Sequence, residues 1–182
     1  MSQKHAALAI VTAMLLAAFA LPWAGYRMLK HDWHLRLLPK SLGVTRVLHV
    51  EEKAWGFGGP GDNETGVIVY ELPAEAARRV EAGGVTYLSS LEHSYPWSPT
   101  PIQGDDDWLR HDGLNDPRPQ GYRPRLADFL DRYGFSIPIE DSVLALADEA
   151  LNTPGAYYAS ARGGGLLIVA PRARRVVLAY AG

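Results

Sequence analysis

The order of apolar and polar residues separates an uncharged N-terminal run from a region of alternating and helical segments. Residues 6–25 contain twenty consecutive residues without a charge, most of them apolar. As a helix rising about 1.5 Å per residue, this run reaches about 30 Å, which matches the hydrocarbon core of a bilayer. The pattern therefore predicts a membrane-spanning anchor or a signal segment over residues 1–25.

A cleaved export signal and a retained anchor are both compatible with this run. Ala18 and Ala20 fit the small residues that precede a cleavage site. The full spanning length, together with Trp23 and Tyr26 as interfacial aromatics, favours the anchor. We therefore expect a single-pass membrane protein in which residues 6–38 contact lipid.

Residues 26–40 predict a basic amphipathic segment beside the membrane. Tyr26, Leu29, Trp33 and Leu37 follow helical spacing, and the basic residues lie between them. A helix buried in the domain is the alternative. The positive charges after the run favour a cytoplasmic domain, whereas the signal-like start favours export, and we expect the domain to be extracytoplasmic.

Residues 41–182 have the pattern of a single α+β domain. Alternation predicts strands within 44–57 and 66–72, and residues 85–88 resemble a third strand. Helical spacing predicts short helices over 73–83, 125–134 and 140–152. Three more strands are expected at the C-terminus, within 156–161, 165–171 and 174–182. The fold class is therefore a mainly antiparallel sheet of about five or six strands, with two or three short helices on one face.

One long segment, residues 89–124, has neither helical nor strand periodicity. It holds six of the thirteen prolines and several aromatic residues. Connections of this length are uncommon in compact domains and are often functional. Aromatic side chains at this density need something to pack against, so we expect an ordered loop rather than a disordered spacer.

The acidic residues of this segment suggest a divalent-cation site, because hard cations prefer several oxygen ligands. The candidate metal ligands are Asp105, Asp107, His111 and Asp112. The spacing does not match an EF-hand, since Leu109 and Arg110 occupy its fifth and sixth positions. Solvated aspartates that stabilise turns are the simpler interpretation.

Composition excludes several functional classes. The chain has no cysteine, which rules out thiol nucleophiles, disulfides and thiolate metal sites. Residues 51–117 carry thirteen acidic residues against four basic ones, while residues 1–50 carry six basic residues against one acidic residue. Because the domain lacks a basic stripe interleaved with aromatics, we expect no nucleic-acid binding.

No motif in the chain names a reaction or a family. We therefore expect a non-enzymatic, membrane-tethered binding or accessory module that contacts a membrane or envelope protein. The candidate contact residues are Trp97, Trp108, Asp106 and His93, because aromatic anchors within a polar rim are common in recognition surfaces. A metal-assisted hydrolase centred on the loop and an accessory subunit of a membrane complex are the alternatives.

Overall fold

The computed structural model of the chain describes residues 3–54, 64–92, 95–102, 122–161 and 164–181. The chain divides into two units, Met1–Leu37 and Leu38–Gly182. The first unit is one helix, α1, Gln3–Arg36, with Pro22 inside it. Over the described residues, no helix meets the combined length and apolarity that a membrane span requires. The predicted spanning anchor within residues 1–25 thus finds no support in the structure.

The second unit is built on an antiparallel sheet, which has six strands over the described residues. The strands lie in the order β1-β2-β6-β5-β4-β3. Their bounds are β1 Val47–Ala54, β2 Glu64–Glu71, β3 Ser98–Pro99, β4 Tyr157–Ala161, β5 Gly165–Ala170 and β6 Arg175–Tyr180. The helices are α2 Ala74–Ser89, α3 Leu126–Leu130 and α4 Asp141–Asn152, and a 3-10 turn covers Lys40–Leu42. The α+β class and the antiparallel sheet are confirmed.

The three predicted C-terminal strands are confirmed and form an antiparallel meander, β4-β5-β6, with β2 added beside β6. Every residue of β5 is buried, and β6 is buried from Val176 to Ala179. Continuous burial explains why these strands read as apolar runs rather than as alternating ones, since both sides of the sheet are covered. They form the centre of the domain.

The strand expected over residues 85–88 is wrong. These residues belong to the second half of α2, which resumes after a break at Gly84. Gly84 has φ +53° and ψ −139°, a combination that non-glycine residues rarely adopt, so it interrupts the helix without ending it. Leu88 in the resumed turn is fully buried, and this burial keeps the segment helical.

Helices cover both faces of the sheet, so the expectation of helices on one face is also wrong. Side chains on one face, which includes Val67, Ile168 and Val177, form a core with residues of α3 and α4. We call this the α4 face. Tyr157 points to the opposite face, because it is the cross-strand partner of Val169. A β carbon placed on Gly84 would lie 3.1 Å from the Tyr157 hydroxyl, which puts α2 against that second face.

Candidate functional site

The last turns of α4 hold the described residues on both sides of the segment 103–121. The backbone N–H of Ile102 donates to the carbonyl of Leu151 at 2.9 Å. On the other side, the side-chain amide of Asn152 donates to the carbonyl of Pro124 at 2.7 Å. The described residues Ile102 and Pro124 are therefore both attached to the C-terminal end of α4.

Asp148 extends this attachment to α3. Its carboxylate accepts a hydrogen bond from the backbone N–H of Leu126 at 2.7 Å. The first N–H groups of a helix have no partner within it, so this carboxylate satisfies one of them. Burial raises the pKa of Asp148, and the Leu126 hydrogen bond opposes that effect.

Beside these attachments lies a cleft with a volume of about 300 Å³. It is bounded by the C-terminal half of α4, the approach to β4, and the turn between β5 and β6. Most of the lining is apolar, which is the usual character of ligand sites. The lining residues are Leu146, Glu149, Ala150, Thr153, Pro154, Gly155, Ala156, Ala170, Arg172 and Ala173.

Small side chains leave unfilled the space that forms this cleft. Ala150 of α4, Ala156 immediately before β4 and Ala170 of β5 line it, and larger residues at these positions would fill the space. Gly155 has φ +105°, a conformation that favours glycine. A β carbon on Gly155 would lie 3.2 Å from the guanidinium carbon of Arg172, so the arginine lies close over the backbone there.

Thr100 holds two lining residues of the cleft, Thr153 and Ala156, in place. Its hydroxyl lies 2.6 Å from the carbonyl of Thr153 and 3.0 Å from that of Ala156, and it also accepts the Ala156 N–H at 3.1 Å. Thr100 is 6% exposed and Ala156 is 5% exposed, so water does not compete for the hydrogen bond between the Thr100 hydroxyl and the Ala156 N–H. The loop before β4 is therefore fixed by a buried hydroxyl.

Arg172 differs from the two other arginines of the same turn. Arg174 donates to the Glu71 carboxylate at 3.1 Å, and Arg175 donates to the carbonyl of Arg174 at 3.0 Å. Arg172 has no hydrogen bond or ion pair with any residue that the structure describes. The Arg172 guanidinium is thus a cation that borders the cleft and is not used in a hydrogen bond or ion pair within the described residues.

Glu149 is the acidic residue of the same lining, and it does not pair with Arg172. No ion pair within 4.0 Å joins these two side chains, although both border the cleft. The Thr153 hydroxyl is already used, because it donates to the backbone carbonyl of Glu149 at 2.7 Å. Glu149 and Arg172 are therefore the two charged residues of the lining.

A second polar cluster lies on the α4 face of β1. The ring nitrogens of His49 lie 3.3 Å from the Glu51 carboxylate and 3.7 Å from the Glu140 carboxylate. Glu51 also accepts the backbone N–H of Glu140 at 3.0 Å, immediately before α4. Within the described ranges, no group of three His, Cys, Asp or Glu side chains could hold a metal ion. The cluster fixes β1 to the start of α4.

Seven of the eight residues predicted to bind a metal or a partner lie outside the described residues. They are His93, Asp105, Asp106, Asp107, Trp108, His111 and Asp112. The metal site stays a prediction. The remaining residue, Trp97, is 6% exposed and packs edge-to-face against Tyr95, with ring centroids 6.0 Å apart. Its predicted role in partner contact also remains untested.

Sequence reasoning missed the cleft because its lining comes from separate stretches of the chain. Alanines at 150, 156 and 170 have no pattern that marks a cavity, since the empty space appears only when α4 packs beside β5. The one available signal was the basic turn Arg172–Arg175. That run does not reveal which of its arginines form hydrogen bonds or ion pairs with the rest of the domain.

Comparison with known proteins adds no name to this site: no family model, curated protein or solved structure matches the chain.

Proposed function

We propose that the protein is a non-enzymatic binding module, held at a membrane by its N-terminal segment, that takes a small ligand in the cleft. The binding proposal rests on one observation. The guanidinium of Arg172, which has no hydrogen bond or ion pair with a described residue, borders a mostly apolar cleft. Apolar surface with a few convergent polar groups is typical of ligand sites.

Membrane attachment is supported by the apolar side chains that α1 exposes. Leu21 is 72% exposed and Leu29 is 73% exposed, and Trp23, Tyr26 and Met28 are exposed with them. Large apolar side chains in contact with water are unfavourable by about 25 cal/mol per Å², so a surface of this kind favours lipid or another apolar partner. Basic residues such as Arg27 and Lys30 on the same helix favour an anionic leaflet.

Vesicle flotation tests the attachment. Full-length protein is mixed with vesicles that contain anionic lipid and is separated by density. We expect Leu21→Glu with Leu29→Glu to abolish flotation, because two carboxylates replace exposed apolar groups. Ala74→Glu with Ala82→Glu is the matched control, since it adds the same charge at exposed positions of α2 and should float normally. A parent protein that is monodisperse without detergent would contradict the attachment.

An accessory subunit of a membrane complex is the second candidate, favoured by the same exposed side chains of α1. A helix of a partner protein buries such side chains in the same way that lipid does. The two candidates predict different results when the purified protein is mixed with vesicles and no other protein is present. Flotation without any other protein favours lipid attachment, whereas exclusion from vesicles, with self-association in detergent, favours helix–helix contact.

Filling the cleft tests the binding function separately from membrane attachment. Ala173 lines the cleft and is exposed at the β5–β6 turn, so Ala173→Leu adds bulk there without disturbing the core. We expect this variant to unfold at the temperature of the parent and to lose binding of small apolar probes. Ala82→Leu, exposed on α2, is the control that should keep binding.

A further inference from the structure

The ligand chemistry of the cleft follows from its size and lining. A volume of about 300 Å³ is at the lower limit for ligand sites, so the cleft takes a group the size of one side chain rather than a large cofactor. Leu146 and Ala150 from α4, with Ala170 from β5, offer apolar surface to such a group. The buried part of the ligand is therefore aliphatic.

Arg172 determines the charge of the ligand. A guanidinium presents a planar set of N–H donors that matches the two oxygens of a carboxylate. Arg174 and Arg175 of the same turn are already occupied by Glu71 and by backbone carbonyls. Because Arg172 alone of the three lacks a partner among the described residues, an anionic group on the ligand finds its donors there.

Glu149 limits the ligand to one negative charge at this end of the cleft. Its carboxylate borders the same space and is not neutralised by Arg172, so a phosphate or dicarboxylate would meet repulsion. A single carboxylate next to an N–H group fits better, since Glu149 can accept a hydrogen bond from that N–H.

We propose that the cleft binds the terminal carboxylate of an aliphatic amino-acid residue, with the carboxylate on Arg172 and the side chain against Leu146 and Ala150. Two sources share this chemistry, a free amino acid and the C-terminus of a peptide. The inference rests on the proposed binding function, and it deepens that function by naming the class of ligand.

Calorimetric titration of the full-length protein in detergent tests the proposal with three probes. N-acetyl-L-leucine represents a peptide terminus, L-leucine represents a free amino acid, and N-acetyl-L-leucinamide lacks the carboxylate. We expect the amide to bind at least about 10-fold more weakly than N-acetyl-L-leucine, since it loses a charge-assisted hydrogen bond. Tighter binding of N-acetyl-L-leucine than of L-leucine indicates a peptide terminus, and the reverse order indicates a free amino acid.

Variants assign the effect to named residues. Arg172→Gln should weaken N-acetyl-L-leucine binding about 10- to 100-fold. Arg78→Gln, which removes an exposed arginine of α2, should leave it unchanged. Equal affinity for the acid and the amide, unchanged binding by Arg172→Gln, or no binding of any probe would overturn the proposal.

Ala173→Leu separates failure of this inference from failure of the binding function. If the acid and the amide bind equally and Ala173→Leu abolishes both, the cleft is a ligand site without the proposed charge selectivity. If none of the three probes binds, the inference about the ligand class fails. If the probes bind and Ala173→Leu leaves their binding unchanged, the cleft is not the binding site and both proposals fail.

Discussion

Replacing Thr100 with valine removes a buried hydroxyl while nearly preserving the shape of the side chain. In the parent protein this hydroxyl accepts the Ala156 N–H and faces the carbonyls of Thr153 and Ala156. The Ala156 carbonyl keeps a partner in the variant, because the Thr100 N–H donates to it at 3.0 Å. The Ala156 N–H loses the partner that the structure gives it.

The expected cost follows from this one orphaned donor. A buried N–H without a partner destabilises the folded state by about 1–3 kcal/mol. Thr153 is exposed, so water replaces the hydroxyl at its carbonyl and adds little. We expect Thr100→Val to lower the free energy of unfolding by about 2 kcal/mol, which corresponds to a Tm lower by about 4–8 °C for a domain of this size.

Thermal unfolding of the full-length protein in a mild detergent, followed by near-ultraviolet circular dichroism, measures this effect. Thr100→Ser is the control, because it keeps the hydroxyl and loses one methyl group, at a cost of about 1 kcal/mol. A valine variant within about 0.5 kcal/mol of the parent, or a serine variant that is less stable than the valine one, would refute the reasoning.

Two further predictions concern other parts of the sheet and α4. Gly66→Ala should lower the free energy of unfolding in urea by about 2–4 kcal/mol, since a β carbon there lies 2.6 Å from the Tyr180 ring, whose hydroxyl donates to Glu52 at 2.9 Å. Tyr180→Phe should cost less, because it loses only the hydrogen bond, and equal costs would count against the steric argument. Burial raises the pKa of Asp148, so its stabilising contribution is complete below the unfolded pKa and is lost as pH rises through the folded pKa. The stability advantage of the parent over Asp148→Asn should therefore be largest in acid and shrink toward neutral pH in urea titrations, and a constant difference would contradict the pKa shift.

The sequence predicted those strands whose burial is continuous. Residues 166–170 and 176–179 are apolar throughout, and turn residues separate them, so their strand character needs no tertiary information. The helix over 141–152 was equally clear, because its buried residues Val143, Ala147 and Leu151 follow helical spacing. Local pattern was sufficient for the α+β class.

The errors arose where tertiary packing outweighs local preference. Residues 85–88 have a β-type composition, yet burial of Leu88 after the break at Gly84 makes them helical. On β1, the alternation of polar and apolar residues does not show which side of the strand another element covers. The structure half-buries His49 and Glu51 near Glu140, immediately before α4, so a polar side of this strand faces the domain.

The candidate site could not be predicted, because a cleft is defined by the space between elements that are distant in sequence. Gly155 and Arg172 are seventeen positions apart, and only their close approach over the backbone shows how the arginine borders the cleft. The residues that the sequence did favour are polar and aromatic residues of one proline-rich segment, most of which lie outside the described residues.

The measurement that tests the central claim most directly is nuclear magnetic resonance of the protein labelled at its alanine methyl groups. Ala150, Ala156, Ala170 and Ala173 line the cleft, and Ala77 on α2 serves as an internal control. Titration with N-acetyl-L-leucine should shift the four cleft methyl signals with one common affinity and leave that of Ala77 in place. Unchanged cleft signals, or shifts confined to alanines elsewhere, would contradict the assignment of this cleft as the ligand site.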